Sequence, residues 1–125
     1  MNHLSASALE LLKARLVALR ENALHEAWAA QTRSLDTVND EYPKVQDPTE
    51  RAESRREQEI DGAQADIDHV MADAAQAALQ RISDGSYGTC LECGLPIRQS
   101  RLLAIPIAIR CSDCQRIHER RQAAR

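Results

Sequence analysis

Aromatic side chains are nearly absent from this chain of 125 residues, which has no Phe, one Trp and two Tyr. Large aromatic side chains supply much of the apolar surface that a compact core buries, so a thick globular core is disfavoured. Alanine and charged residues dominate instead, and the apolar residues recur in helical register. This composition is typical of long helices.

The chain also lacks an apolar run of about 18 residues, so we expect no membrane-spanning segment. Its N-terminal stretch is interrupted by Glu10, Lys13 and Arg15, which disfavours a secretory signal and predicts a cytoplasmic protein. No Ser/His/Asp set, phosphate-binding glycine loop or open metal site is visible, so we expect no enzymatic activity.

Charge is unevenly distributed along the chain, although the net charge is only −3. Residues 47–82 carry 4 basic and 9 acidic side chains, a net charge of −5, whereas residues 83–125 carry 7 and 4, a net charge of +3. Such a dipolar distribution favours docking on a partner in one orientation. Two ordinary solvated helix faces would explain the same pattern.

Two long helices are predicted from the spacing of apolar residues. The first covers about residues 5–33 and should begin near Ser5 or Ser7, with a capping box in "SALE", Ser7 to Glu10. The second covers about residues 48–83. Apolar residues recur at intervals of three and four in both helices, which is the spacing of a coiled-coil seam. These seam residues are Leu9, Leu12, Leu16, Leu19 and Ala23 in the first helix, and Ile60, Ala63, Ile67, Val70, Ala74 and Ala77 in the second.

The segment between the helices, about residues 34–48, contains Asn39, Pro43 and Pro48 and reads as a connection. Because it is short relative to the helices, we predict that they fold back on each other as an antiparallel coiled-coil hairpin spanning residues 1–84. Pairing of the two stripes between chains is the alternative. The hairpin predicts a mainly α protein that is a monomer.

Four cysteines form two C-x2-C pairs, and 17 residues, positions 94 to 110, separate them. This arrangement is typical of a structural zinc site in which Cys90, Cys93, Cys111 and Cys114 supply four thiolates to one ion. Disulfides and unrelated free thiols are the alternatives, and His118 is either a spare ligand or a surface residue. We assign residues 85–125 to a zinc finger followed by a short C-terminal helix.

The helical hairpin followed by "YGTCLECGLPIRQSRLLAIPIAIRCSDC" resembles the DksA/TraR family of bacterial zinc-finger transcription factors. The matching features are Tyr87-Gly88, Gly94, Ile97, "RLLAIP" (Arg101 to Pro106) and the two C-x2-C pairs. The zinc segment is specific to the family, whereas a coiled coil alone would not be. The resemblance extends from about residue 5 to residue 120.

The resemblance implies that RNA polymerase is the partner and that no DNA sequence is recognised. In this family the coiled coil enters the secondary channel of the polymerase, and a tip motif Asp-x-x-Asp-x-Ala acts near the active site. The motif falls on Asp47, Glu50 and Ala52, so the second acid is Glu in place of Asp. The same stretch, "DPTERA", is also a good helix start, with Asp47 as N-cap and Pro48 in the first turn.

The resemblance also implies a role for the alarmone ppGpp, which basic residues bind in the alarmone-dependent members. The corresponding positions here are Ala74, Ile105 and Gln115, and none of them is charged. A phosphate-rich ligand needs cationic partners. We therefore expect weak or absent synergy with ppGpp at that site.

Two other functions compete with regulation of the polymerase. The first is a zinc-ribbon protein that binds nucleic acid through C-terminal arginines. The second is a structural coiled coil with a zinc cap, or a homologue that binds the polymerase but is inert because of its tip. The acidic total and the scarcity of aromatic residues for base stacking weigh against the first alternative.

Overall fold

The computed structural model describes residues 3–38 and 48–124, and these residues form four helices. The helices are α1 (Ala6–Val38), α2 (Pro48–Asp84), α3 (Gln99–Ala104) and α4 (Ser112–Ala123). None of these helices combines the length and the apolar character needed to cross a membrane. The described residues contain no strand, only an isolated bridge between Thr89 and Pro96. The predicted mainly α fold, a helical hairpin followed by a four-cysteine segment and a C-terminal helix, is confirmed.

Of the two serines predicted to start α1, Ser5 is the N-cap, whereas Ser7 lies inside the helix, so the capping box predicted in "SALE" is wrong. The Ser5 side-chain oxygen accepts a hydrogen bond from the Ala8 amide at 3.2 Å, and the Ser5 carbonyl accepts one from the Leu9 amide at 3.0 Å. This is the arrangement of an N-cap residue. The helix then continues to Val38, beyond the predicted end near residue 33.

Helix α2 begins at Pro48, a residue that suits the first helical position because its missing N–H has no partner there. It ends at Asp84, and Gly85 follows with φ 84°, the left-handed conformation that closes many helices. The Ser86 hydroxyl and amide both donate hydrogen bonds to the Asp84 carboxylate, and they lower the pKa of Asp84.

The chain divides into two compact units, residues 1–19 with 74–125, and residues 20–73. The first unit contains the larger core. There Leu12 and Leu16 of α1 belong to one buried cluster with Ala75 and Ala78 of α2. The same cluster includes Tyr87, Ile97, Leu102 and Ala108 from the segment that follows α2.

In the second unit, α1 and α2 pair through small side chains. Ala27, Ala30 and Ala65 form a buried cluster, and Arg33 lies 3.4 Å from the Asp61 carboxylate. Residues later in α1 contact residues earlier in α2, so the two helices run antiparallel. The predicted boundary between a hairpin and a finger at residue 84 stays a prediction.

The seam predicted for α2 is wrong in both units, and of its three alanines Ala63 and Ala77 are exposed and Ala74 is only partly buried. Ile60, Ile67 and Val70 were expected to face α1, but their side chains are 67%, 56% and 67% exposed. The buried stripe runs instead through alanines, namely Ala65, Ala72, Ala75 and Ala78. Both stripes have helical spacing, so periodicity alone does not choose between them. The alanine stripe lets the two backbones approach closely, which a row of β-branched side chains would prevent.

Candidate metal centre

The structure brings the four cysteines together. One ligand atom from each of Cys90, Cys93, Cys111 and Cys114 lies within 4.8 Å of the others. The sulfur atoms of Cys93 and Cys111 are 3.9 Å apart. A tetrahedral zinc ion with Zn–S bonds of about 2.3 Å places its sulfurs about 3.8 Å apart, so this geometry suits zinc.

A tight turn positions the first pair. The Cys90 amide donates to the Leu95 carbonyl at 2.9 Å, and the Gly94 amide donates to the Cys90 carbonyl at 3.0 Å. Gly94 adopts φ 73°, a conformation that residues with a Cβ avoid, which explains a glycine directly after the second cysteine. The turn therefore directs the sulfurs of Cys90 and Cys93 toward one point.

The start of α4 positions the second pair. Cys111 is the N-cap of α4, and its carbonyl accepts a hydrogen bond from the Gln115 amide at 2.9 Å. Cys114 follows in the first turn of the helix. The Leu91 amide donates to the Ile109 carbonyl at 2.9 Å, which joins the segment of the first pair to the segment of the second.

The thiols at this site favour a bound cation. Burial acts to raise the pKa of Cys90, but backbone N–H groups of Cys93, Cys111 and Glu92 overcome it and lower that pKa to about 6. Hydrogen bonding to Cys111 and burial raise the pKa of Cys114 to about 12. Crowded thiols cannot all ionise without a compensating positive charge. A divalent ion supplies that charge.

Side-chain hydrogen bonds join the parts of the zinc segment to one another. The Tyr87 hydroxyl donates to the Pro106 carbonyl at 2.8 Å, and burial raises the pKa of this tyrosine. The Arg101 guanidinium donates to the Arg110 carbonyl at 3.0 Å, and Arg110 in turn lies 3.2 Å from the Glu92 carboxylate. These hydrogen bonds and the ion pair link both cysteine pairs to the intervening segment that contains α3.

Two residues near the N-terminus support this segment and were missed in the sequence. The His3 ring nitrogen lies 2.5 Å from the Ile97 carbonyl, and Leu4 is buried in the core cluster. Leu4 directly precedes the N-cap Ser5, and Leu9 packs against the same cluster. An apolar residue before the cap and another at the fourth helical position is the pattern of a hydrophobic staple. That pattern was the available signal for Leu4, whereas nothing local indicates His3.

Gly88 is expected to be intolerant of any side chain. Its φ is 85°, and an added Cβ would lie 3.2 Å from His3 and 3.4 Å from both Leu102 and Leu4. A residue with a Cβ in this conformation costs on the order of 1–3 kcal/mol. We expect Gly88→Ala to lower the unfolding temperature of the zinc-loaded protein, measured by circular dichroism.

The matched control is Gly62→Ala, because an added Cβ at Gly62 meets nothing within 4 Å inside helix α2. Alanine is the better helix former by roughly 0.5–1 kcal/mol, so this variant is expected to be more stable than the parent. Equal melting temperatures for Gly88→Ala and the parent would contradict the packing described at Gly88.

The structure describes only part of the predicted tip. Glu50 lies exposed in the first turn of α2, and Ala52 is partly buried. Asp47 lies outside the described residues. The three positions compared with the family's alarmone-binding residues are all described: Ile105 is 43% exposed, Ala74 is partly buried, and Gln115 donates to the Glu119 carboxylate at 3.1 Å.

Comparison with known proteins identifies the family. A model of the prokaryotic dksA/traR C4-type zinc finger matches residues 85–120. The RNA polymerase-binding transcription factor DksA of Caulobacter vibrioides is 32% identical over 114 residues, which are 91% of this chain and 78% of that protein. The protein of the same name from Escherichia coli K12 is 29% identical over 102 residues, 78% of this chain and 68% of that protein.

Among solved structures, transcription factor DksA2 from Pseudomonas aeruginosa has a similar fold, with a TM-score of 0.80 at 21% sequence identity. The match covers 97% of this chain and 90% of that chain. The family's C4-type zinc finger and the clustered sulfurs agree on the cofactor, which is one structural zinc ion. This chain belongs to the DksA/TraR family of zinc-finger transcription factors, which are not enzymes.

Proposed function

We propose that this protein regulates transcription by binding RNA polymerase directly. The similarity to DksA proteins over 91% of the chain is the observation that carries this proposal, since those relatives are named RNA polymerase-binding transcription factors.

The finer proposal is that the paired helices enter the secondary channel of the polymerase and modulate initiation at selected promoters. The acidic residue at the start of α2 supports this, because Glu50 is exposed in the first helical turn. Asp47, Glu50 and Ala52 would form the acting tip. The carboxylates of Asp47 and Glu50 would act on the polymerase active site, where metal ions and nucleotide phosphates make charge decisive.

We also propose that Cys90, Cys93, Cys111 and Cys114 are the four zinc ligands. Their distances support the assignment, and four thiolates fill a tetrahedral shell without leaving a position for a substrate. The zinc finger with its C-terminal helix is assigned to residues 85–125, and the hairpin to residues 1–84. The metal would therefore stabilise the fold of residues 85–125 and take no part in chemistry.

Competition for the polymerase tests the binding proposal. Labelled protein is titrated with purified RNA polymerase, and an unlabelled secondary-channel factor is then added. Release of the labelled protein is the expected result. Binding that persists at saturating competitor would place the contact elsewhere on the polymerase, and a failure to bind would refute the proposal itself.

Nucleic-acid binding is retained as the second candidate because of one feature. A cavity of about 400 Å³ near the cysteines is lined by Arg98, Arg101 and Arg116, which would suit a phosphate. Asp113 lines the same cavity and pairs with Arg116, which weakens its attraction for anions. Salt-dependent binding to free DNA in the absence of polymerase would favour this second function.

Synergy with ppGpp is expected to be weak or absent. Ala74, Ile105 and Gln115 provide no charge at the positions that correspond to the alarmone-binding residues of the family. We expect less than a twofold difference between transcription with protein alone and with protein plus ppGpp, after correction for the effect of ppGpp on the polymerase. The restoring variant Ile105→Arg with Gln115→Lys is the control, and a large enhancement in the parent would contradict the inference.

A further inference from the structure

A stripe of large apolar side chains lies uncovered on helix α2. Ile60, Ile67 and Val70 are all more than half exposed. Their positions differ by seven and by three, so they lie on one face of the helix over about 15 Å of its length. Three large apolar side chains on one exposed helical face mark a candidate contact surface. We call these three residues the apolar stripe.

A row of carboxylates runs beside the apolar stripe. Glu59, Asp66 and Asp73 are exposed and repeat every seven residues. Glu59 and Asp66 directly precede Ile60 and Ile67, so the two rows follow the same course along the helix. We call these three residues the acidic row. Apolar residues at heptad spacing with charges alongside are the pattern by which one helix packs against another.

Helix α1 does not cover the apolar stripe. It contacts α2 in the second unit through a different face, where Ala65 is buried with Ala27 and Ala30. Asp61, on that same side of α2, pairs with Arg33 of α1. Within the described ranges, the stripe is therefore available to a partner.

The charge around the stripe decides what kind of partner fits. Residues 57–73 contain six acidic side chains and neither Lys nor Arg. A second copy of the chain would bring two such segments together, and like charges repel at these distances. An anionic membrane surface would be repelled in the same way. A helix with apolar residues at heptad spacing, flanked by Lys or Arg, matches both rows.

We propose that the apolar stripe and the acidic row dock a basic amphipathic helix of RNA polymerase, packed alongside α2. This inference rests on the proposed function and deepens it by naming the contact surface. The docked helix would form a third member beside α1 and α2 in residues 20–73. Burial of the three apolar side chains would supply affinity, and the acidic row would set orientation and salt dependence.

Two variants with matched controls test the apolar stripe and the acidic row. Ile67→Ser with Val70→Ser removes two of the three stripe residues, and Leu11→Ser with Leu24→Ser removes comparably exposed side chains from α1. Glu59→Lys with Asp66→Lys reverses the acidic row, and Glu21→Lys with Glu26→Lys makes the same charge change on α1. Helicity by circular dichroism is expected to be unchanged in all four, because every altered side chain is exposed.

The dissociation constant for purified RNA polymerase is the measured quantity. We expect at least a tenfold increase for both stripe and row variants, and less than a twofold change for both controls. A photo-crosslinker at position 67 is expected to label a polymerase helix rich in Lys or Arg. Labelling of an acidic segment, or of a second copy of this chain, would overturn the inference.

The outcome also separates this inference from the proposed function. If the parent binds the polymerase and the stripe and row variants bind equally well, the inference is wrong and the proposed function stands. If the parent shows no binding to the polymerase, the proposed function is wrong. The assignment of a polymerase helix as the partner of the stripe is then wrong as well.

Discussion

Replacing Cys93 with serine is expected to unfold the zinc segment even though the Cys93 side chain is exposed. An exposed cysteine usually tolerates serine with little change in stability. Here the loss of one thiolate breaks a four-sulfur shell whose metal-binding free energy is roughly 10–16 kcal/mol in comparable sites. We expect the variant to retain less than a tenth of the zinc bound by the parent.

The same unfolding is expected when a strong chelator removes zinc from the parent protein. Amide chemical shifts and hydrogen-exchange protection should be lost across residues 85–114. Tyr87, Ile97 and Leu102 share one cluster with Leu12 and Leu16, so protection should also fall in the adjoining part of α1. Helical circular dichroism from residues 20–73 is expected to persist, because their alanine cluster contains no residue from the zinc segment.

Ser112→Ala is the control for the cysteine variant, because Ser112 is exposed within the same segment and is not a candidate ligand. It is expected to bind zinc as the parent does. Chemical shifts of residues 85–114 that are unchanged after zinc removal would show that the segment folds without metal. That result would contradict the structural role assigned to the ion.

Replacing Asp47 with asparagine is expected to reduce the effect on transcription at least tenfold while leaving affinity for the polymerase within twofold of the parent. Asparagine is as good an N-cap as aspartate, so the start of α2 at Pro48 should be preserved. Only the negative charge is removed. A selective loss of activity would therefore identify that charge as the acting group.

Glu50→Asp is the companion variant, because it restores the acid that the family motif carries and shortens the side chain by one methylene. Activity above that of the parent would show that the glutamate limits the tip. Equal activity would show that either acid suffices. If neither Asp47→Asn nor Glu50→Asp changes transcription, the tip hypothesis is wrong, whether or not the protein binds the polymerase.

The metal centre was predictable from the sequence because its determinants are local. Each cysteine pair is positioned by a turn or a helix start within a few residues of it. The hydrogen bonds that the Gly94 and Gln115 amides donate to the Cys90 and Cys111 carbonyls show this. Spacing along the chain therefore translates directly into geometry. The starts of the long helices were predictable for the same reason, since Ser5 is one of the two serines predicted to start α1 and α2 begins at Pro48.

The face of α2 that meets α1 was not predictable from spacing. Hydrophobicity favoured Ile60, Ile67 and Val70, whereas the structure buries Ala65 and Ala72. An alanine seam stabilises a helix pair because it lets the two backbones approach closely. That approach depends on the partner helix as well, so the hydrophobicity of α2 alone does not predict it. The contact of His3 with the Ile97 carbonyl was hidden for a related reason, since 94 residues separate the two.

Transcription in vitro from a ribosomal-RNA promoter tests the central claim most directly. Purified RNA polymerase would be assayed with the zinc-loaded parent and with Asp47→Asn, each with and without ppGpp. We predict that the parent changes the yield of transcript without ppGpp and that Asp47→Asn does not, although both bind the polymerase. Identical transcript yields with and without the parent, at concentrations that saturate the polymerase, would contradict the claim.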